Sequence, residues 1–127
     1  MRALALIAVL PMAACADRGP AAEDLIPEYL GIRTLGLDEN LVHIDVEMTN
    51  ALTEADVEDY ADCAVAGYTL RQGWAFARHL RTKVDEVSGV WRADAVYTIS
   101  PTRPRGLVTL EADEVAKTCA EKGIPTS

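Results

Sequence analysis

The chain predicts an α+β fold, with a three- to four-stranded, mainly antiparallel sheet and two helices on one face. Three observations carry that expectation. Residues 41–48 alternate apolar with polar at a period of two, and residues 90–99 are rich in strand formers. Residues 53–72 and 111–122 place apolar side chains at helical spacing. The order strand–helix–strand–strand–(strand)–helix lacks a regular strand–helix alternation, which points to an antiparallel sheet with its helices gathered on one side.

Taken in order, residues 28–37 are mixed, and Gly31 and Gly36 discourage a helix there. Tyr29, Leu30, Ile32, Leu35 and Leu37 are expected to pack on the domain edge as a short strand. Asp38-Glu39-Asn40 is a turn, after which Val42, Ile44, Val46 and Met48 share one face of a strand. His43, Asp45 and Glu47 share the other. Thr53 then starts a helix as its cap, with Asp56 in the capping-box position and Leu52 and Val57 as the staple. Val57, Tyr60, Ala61, Ala64 and Tyr68 line its inner face, Cys63 and Gly67 sit at the margin, and Gly73 ends it.

Residues 74–84 fit period two and period four alike through Phe76, Leu80 and Val84. They read as a strand because Gly73 precedes them and Asp85-Glu86-Val87-Ser88-Gly89 follows as a hairpin loop. On the second arm, Trp91, Ala93, Ala95, Tyr97 and Ile99 share a face. Residues 101–106 form a rigid loop with two prolines, and 107–110 add a short edge strand. The last helix, 111–122, turns Ala112, Val115, Ala116 and Cys119 inward. Gly123 stops it, Ile124 folds back onto Cys119, and Pro125 forbids continuation.

Ahead of this domain, Arg2 is followed by an apolar run from Ala3 to Ala14. That run is too short for the roughly 20 apolar residues of a membrane span, and it fits an export signal. Met12-Ala13-Ala14-Cys15 resembles the lipobox of bacterial lipoproteins. The resemblance implies cleavage before Cys15, lipid on its thiol, and attachment to the cell membrane or outer membrane with the domain in the periplasm or outside. The expected organisation is a signal at 1–14, a lipidated Cys15 and flexible tether over 15–27, and one domain over 28–127. Ala14-Cys15-Ala16 also satisfies a small-x-small site, and cutting after Ala16 gives a soluble periplasmic or secreted domain.

Formal net charge is −8, so the chain repels nucleic acid, and nucleic-acid binding is excluded as an expectation. With Cys15 on lipid, Cys63 and Cys119 remain. In an oxidising compartment this even pair reads as a disulfide between neighbouring helices, worth about 4 kcal/mol on the chain-entropy model. Two buried free thiols are the alternative.

Chemistry is sparse. His43 and His79 fall in separate elements, and no Cys/His spacing resembles a zinc site. Asp56-Val57-Glu58-Asp59 lacks the glycine and closing glutamate of a calcium loop, so no metal is expected. Ser88, Ser100 and Ser127 lie in no Gly-x-Ser-x-Gly elbow, and no glycine-rich phosphate loop exists, so no cofactor is expected. One surface feature stands out. If 74–84 and 90–99 form a hairpin, His79, Arg81, Lys83 and Arg92 gather on its outer face as a basic strip suited to a carboxylate, a phosphate headgroup or an acidic partner. The bland reading is a solvated sheet face balanced by Asp94. The expected function is a non-catalytic, membrane-anchored lipoprotein that binds an envelope component. A soluble exported domain is the second reading, and a small hydrolase with unrecognised residues the third.

Overall fold

Alternation in the central strands fixes the layering of this protein. A computed structural model describes residues 25–106 and 108–127; the signal-like segment, Cys15, most of the tether and Leu107 lie outside the described residues. The elements are β1 (Glu28–Gly36), β2 (Leu41–Thr49), α1 (Glu54–Arg71), β3 (Phe76–Val87), β4 (Val90–Ser100), β5 (Leu110–Glu111) and α2 (Ala112–Lys122). The class is α+β, and one antiparallel sheet runs β1-β2-β4-β3-β5. The sheet thus has five strands where the sequence predicts three or four. The fifth is made by β1, expected only as a short piece at the domain edge and found as a full nine-residue strand. Its period is masked in the sequence by an irregularity between Tyr29 and Gly31, which moves Ile32 and Thr34 into step with Val46 and Ile44.

On the inner face, β2 contributes Val42, Ile44, Val46 and Met48, and β4 contributes Ala93, Ala95, Tyr97 and Ile99, all buried. Helix α1 lies against β2, β4 and β3 and closes this face with Val57, Tyr60, Ala61 and Ala64. Burying a side chain the size of Ile44 or Met48 contributes about 1.5–3 kcal/mol. Tyr29 of β1 meets the Tyr60 ring edge-on at 4.7 Å, which ties the outermost strand to the helix. Helix α2 packs on α1 and on β5. Cys63 and Cys119 are bonded across the two helices, each 3% exposed.

Helix ends follow their sequence signals at the C-termini and depart from them at one N-terminus. Gly123 is left-handed (φ 72°), and the Ile124 N–H donates to the Cys119 carbonyl at 2.8 Å. Gly73 (φ 75°) does the same office after α1. Thr53 makes no side-chain cap. Asp56 accepts instead from the Leu52 N–H at 2.7 Å, and Leu52 is exposed rather than stapled.

The β3–β4 hairpin is tighter than predicted. Strand β3 runs through to Val87, and Ser88 and Gly89, both at positive φ, make a two-residue turn matched to strand twist. Within β3 the register slips between His79 and Arg81, leaving Leu80 as an extra residue. The short final strand is Leu110–Glu111, and it pairs only with Ala77 and Phe76.

Candidate functional site

The outer face of the sheet carries the charges that alternation turns away from α1. His43, Asp45 and Glu47 of β2 stand opposite Val96, Asp94 and Arg92 of β4. Two carboxylates, Asp45 and Asp94, are therefore directly opposed, an arrangement that is repulsive unless cations sit beside it. Each acid has its nearest cationic or imidazole partner on a diagonal, and Asp45 also has Arg33 directly opposite on β1. Arg92 grips Asp45 through both its Nε and Nη2, the former at 2.9 Å, and Arg33 of β1 approaches the same carboxylate at 3.7 Å. His43 Nε2 lies 2.6 Å from Asp94 Oδ1, and Arg81 reaches it at 4.0 Å. The hydrogen bond from Arg92, followed by the nearby charge of Asp45, holds the guanidinium above its ordinary pKa. This paired fork is the firmest contact on the face, because Asp45 is only 8% exposed.

The extra residue at Leu80 divides the predicted basic strip. Arg81 and Lys83 stand opposite Val96 and Asp94, and with Arg92 they share the outer face. His79 does not join them. It stands opposite Tyr97 on the helix side, its ring edge-on to Tyr97 at 5.4 Å. Arg78, opposite Thr98, takes its place on the outer face. A regular strand would put His79, Arg81 and Lys83 on one side, since all are odd-numbered; one bulged residue reverses the parity. Arg78 and Lys83 make no ion pair among the described residues.

On the helix side, beside the β3 edge, a cavity of about 240 Å³ is lined by Glu58 and Asp62 of α1, His79 and Thr82 of β3, and Leu110. Glu58 and Asp62 are one helical turn apart and so project from the same face of α1. Asp62 accepts a 2.6 Å hydrogen bond from the Tyr97 hydroxyl. Burial pushes the Asp62 carboxyl above the usual carboxylate range, partly opposed by that hydrogen bond. Burial and the same carboxylate push the Tyr97 hydroxyl far up. His79 Nε2 lies 2.5 Å from Thr82 Oγ1. Asp62 with Tyr97 and His79 with Thr82 form two separate hydrogen-bonded pairs in this cavity. Among the described residues no three His, Cys, Asp or Glu side chains are grouped to hold a metal ion. A second cavity, about 270 Å³, shares Asp62 and Leu110 and runs between α1 and α2 over the Cys63–Cys119 bridge.

Residues 29–123, from β1 to the stop of α2, match the family described as the YNQ4 C-terminal domain. The chain belongs to this family. It is also 28% identical over 89 residues to an uncharacterised 26.9 kDa protein in the nqo8 5′ region of Paracoccus denitrificans. The match covers 70% of this chain and 35% of that protein, so the chain spans about a third of the relative's length. No solved structure matches. The matched residues run from Tyr29 of β1 through the whole of α2 and so take in all seven elements.

Proposed function

We propose that this YNQ4 C-terminal domain is a non-catalytic binding module of the cell envelope, exported and held on a membrane by lipid at Cys15. The Cys63–Cys119 bridge carries the reading. Disulfides form and persist in oxidising compartments and are rare where thiols are kept reduced. A bridge between the two helices therefore fits the export signal that Met1–Ala14 resembles and the lipobox-like Met12-Ala13-Ala14-Cys15. Two or more acyl chains at Cys15 hold a domain firmly, where a single chain does not. Binding, rather than catalysis, is favoured by the outer sheet face, where Arg78, Arg81 and Lys83 stand out from a chain of net charge −8. The partner in this reading is an envelope component bearing carboxylates or phosphates.

Mass analysis of the mature protein tests the anchor and the staple together. The expected species begins at Cys15, carries acyl chains, and is two hydrogens lighter than the dithiol. Cys15→Ser should leave the membrane fraction. A mature chain beginning at Asp17 would mean ordinary secretion, and Cys63 and Cys119 alkylated as free thiols would end the export argument.

A further inference from the structure

The outer edge of β3 is unpaired from Arg81 to Val87 among the described residues. That edge pairs with β5 only at Phe76 and Ala77, while the other edge pairs with β4 as far as Val87. Beyond the extra residue at Leu80, Arg81–Val87 runs in regular register against Val96–Val90. An open, regular strand of this kind offers backbone donors and acceptors to another strand.

We propose that the β3 edge from Arg81 to Val87 takes up an extended acidic segment of a partner protein as an added strand. The proposal rests on the binding-module reading and names the partner class for it. Charge complementarity selects the segment. Arg81 and Lys83 project on the outer face of this edge with Arg78 just before it, and the one acid of that row, Asp85, stands opposite Arg92, while Glu86 turns to the helix side. Arg78 and Lys83 have no ion pair among the described residues. Arg81 is only loosely engaged, 4.0 Å from an Asp94 that His43 already holds at 2.6 Å. Side chains on an added strand alternate between faces, so every second residue would stand beside these cations, where a carboxylate fits.

The remaining residues of the segment would face the helix side. There the cavity bounded by Glu58, Asp62, His79, Thr82 and Leu110 lies next to the point where β5 ends. Its lining sets the Glu58 and Asp62 carboxyls beside the Thr82 hydroxyl, the His79 imidazole and Leu110. A short hydroxyl side chain that donates is therefore accommodated, and a second row of carboxylates is repelled by these acids and by Glu86 on the same side. The predicted recognition pattern is therefore an extended run in which Asp or Glu alternates with Thr or Ser. Positive charge and a bulge at an edge also serve to discourage strand pairing, and the experiment separates that role from recruitment.

The test uses the full chain, ¹⁵N-labelled and with its disulfide intact. It is titrated with a peptide alternating threonine and glutamate, the same peptide methylated on alternate backbone nitrogens, a threonine–lysine counterpart, and free glutamate. The threonine–glutamate peptide should bind, shift the amides of Arg81–Val87 and slow their hydrogen exchange; the methylated and lysine peptides should not. R81E combined with K83E should weaken binding by about tenfold or more while leaving the far-ultraviolet spectrum unchanged. Equal binding of the methylated peptide and of free glutamate, with no new amide protection, would overturn strand addition and leave only an anion-binding strip. Protection at β1 instead, or equal binding of the lysine peptide, would overturn the choice of edge and of partner. Binding by none of the probes would overturn the proposal, while the mass and fractionation of the Cys15 species would stand apart from that result.

Discussion

Along β4, neighbouring residues answer to different physics. Ala93, Ala95 and Tyr97 lie wholly out of solvent beneath α1, while Arg92 and Asp94 between and beside them face water and take part in the charged ladder. The helix side is held by burial, which is non-directional and grows with area. The outer side is held by paired charges whose individual contributions are small and depend on a diagonal neighbour being in place. A sheet built this way keeps its fold on one face and leaves the other free to carry recognition chemistry. The Asp45–Arg92 fork is where the two regimes meet, because Asp45 points outward and is still nearly buried.

Three perturbations would break or sharpen that contrast. The largest effect is expected on the helix side. Replacing Cys63 and Cys119 together by serine removes a cross-link spanning 56 positions and should lower unfolding free energy by about 4 kcal/mol, read from urea denaturation with and without reductant. At the boundary, Arg92→Ala strips Asp45 of its fork and leaves it beside only a distant Arg33. The expected cost is about 1–3 kcal/mol, the penalty of an under-paired, nearly buried carboxylate. Lys83→Ala on the same face should stay within about 0.5 kcal/mol, and equal losses from both would erase the distinction drawn here.

A further, pH-dependent effect concerns Asp62. Its folded carboxyl is raised above the ordinary 3.8, so the folded protein holds that proton more tightly than the unfolded chain. The associated stability is complete below the unfolded value and is lost as pH rises through the folded one. Asp62→Asn keeps an acceptor for Tyr97 without the charge. Its stability relative to the parent should therefore increase from acid toward neutral pH, measured by urea midpoints across that range. A parallel pH dependence in both proteins would show that Asp62 is not the group responsible.

Legibility in the sequence tracks locality. The alternation of Val42, Ile44, Val46 and Met48 is complete within one strand, and all four side chains are buried. Gly73 and Gly123 announce helix ends by backbone conformation alone, and both adopt it. The Cys63–Cys119 pairing, though not local, was readable because only these two cysteines remain once Cys15 is set aside. Features that depend on a second element were hidden. Val65, Ala66 and Thr69 fall outside the single inner face expected of α1, yet all are buried along with the residues that face the sheet. Packing of α2 on α1, and of the tail at Thr126, whose carbonyl accepts from Arg71 at 3.2 Å, gives the helix a second covered side. Gly67 shows how close that tail comes, since a β-carbon there would stand 2.3 Å from the Thr126 oxygen. The Asp45–Arg92 fork was equally invisible, because it joins strands 47 positions apart on a diagonal. The predicted strip at His79, Arg81, Lys83 and Arg92 lost His79 for one reason, the extra residue between His79 and Arg81.

That extra residue has a genetic consequence. Because Leu80 stands between two residues already facing opposite ways, losing its codon would leave His79 opposite Tyr97 and Arg81 opposite Val96, with every downstream partner unchanged. Most single-residue deletions in a strand invert everything that follows; this one is silent for side-chain placement. What it removes is the local kink, so the deletion would convert an interrupted edge into one straight run from Phe76 to Val87. Position 80 is thus a place where indels can retune the stickiness of the sheet without touching either of its faces.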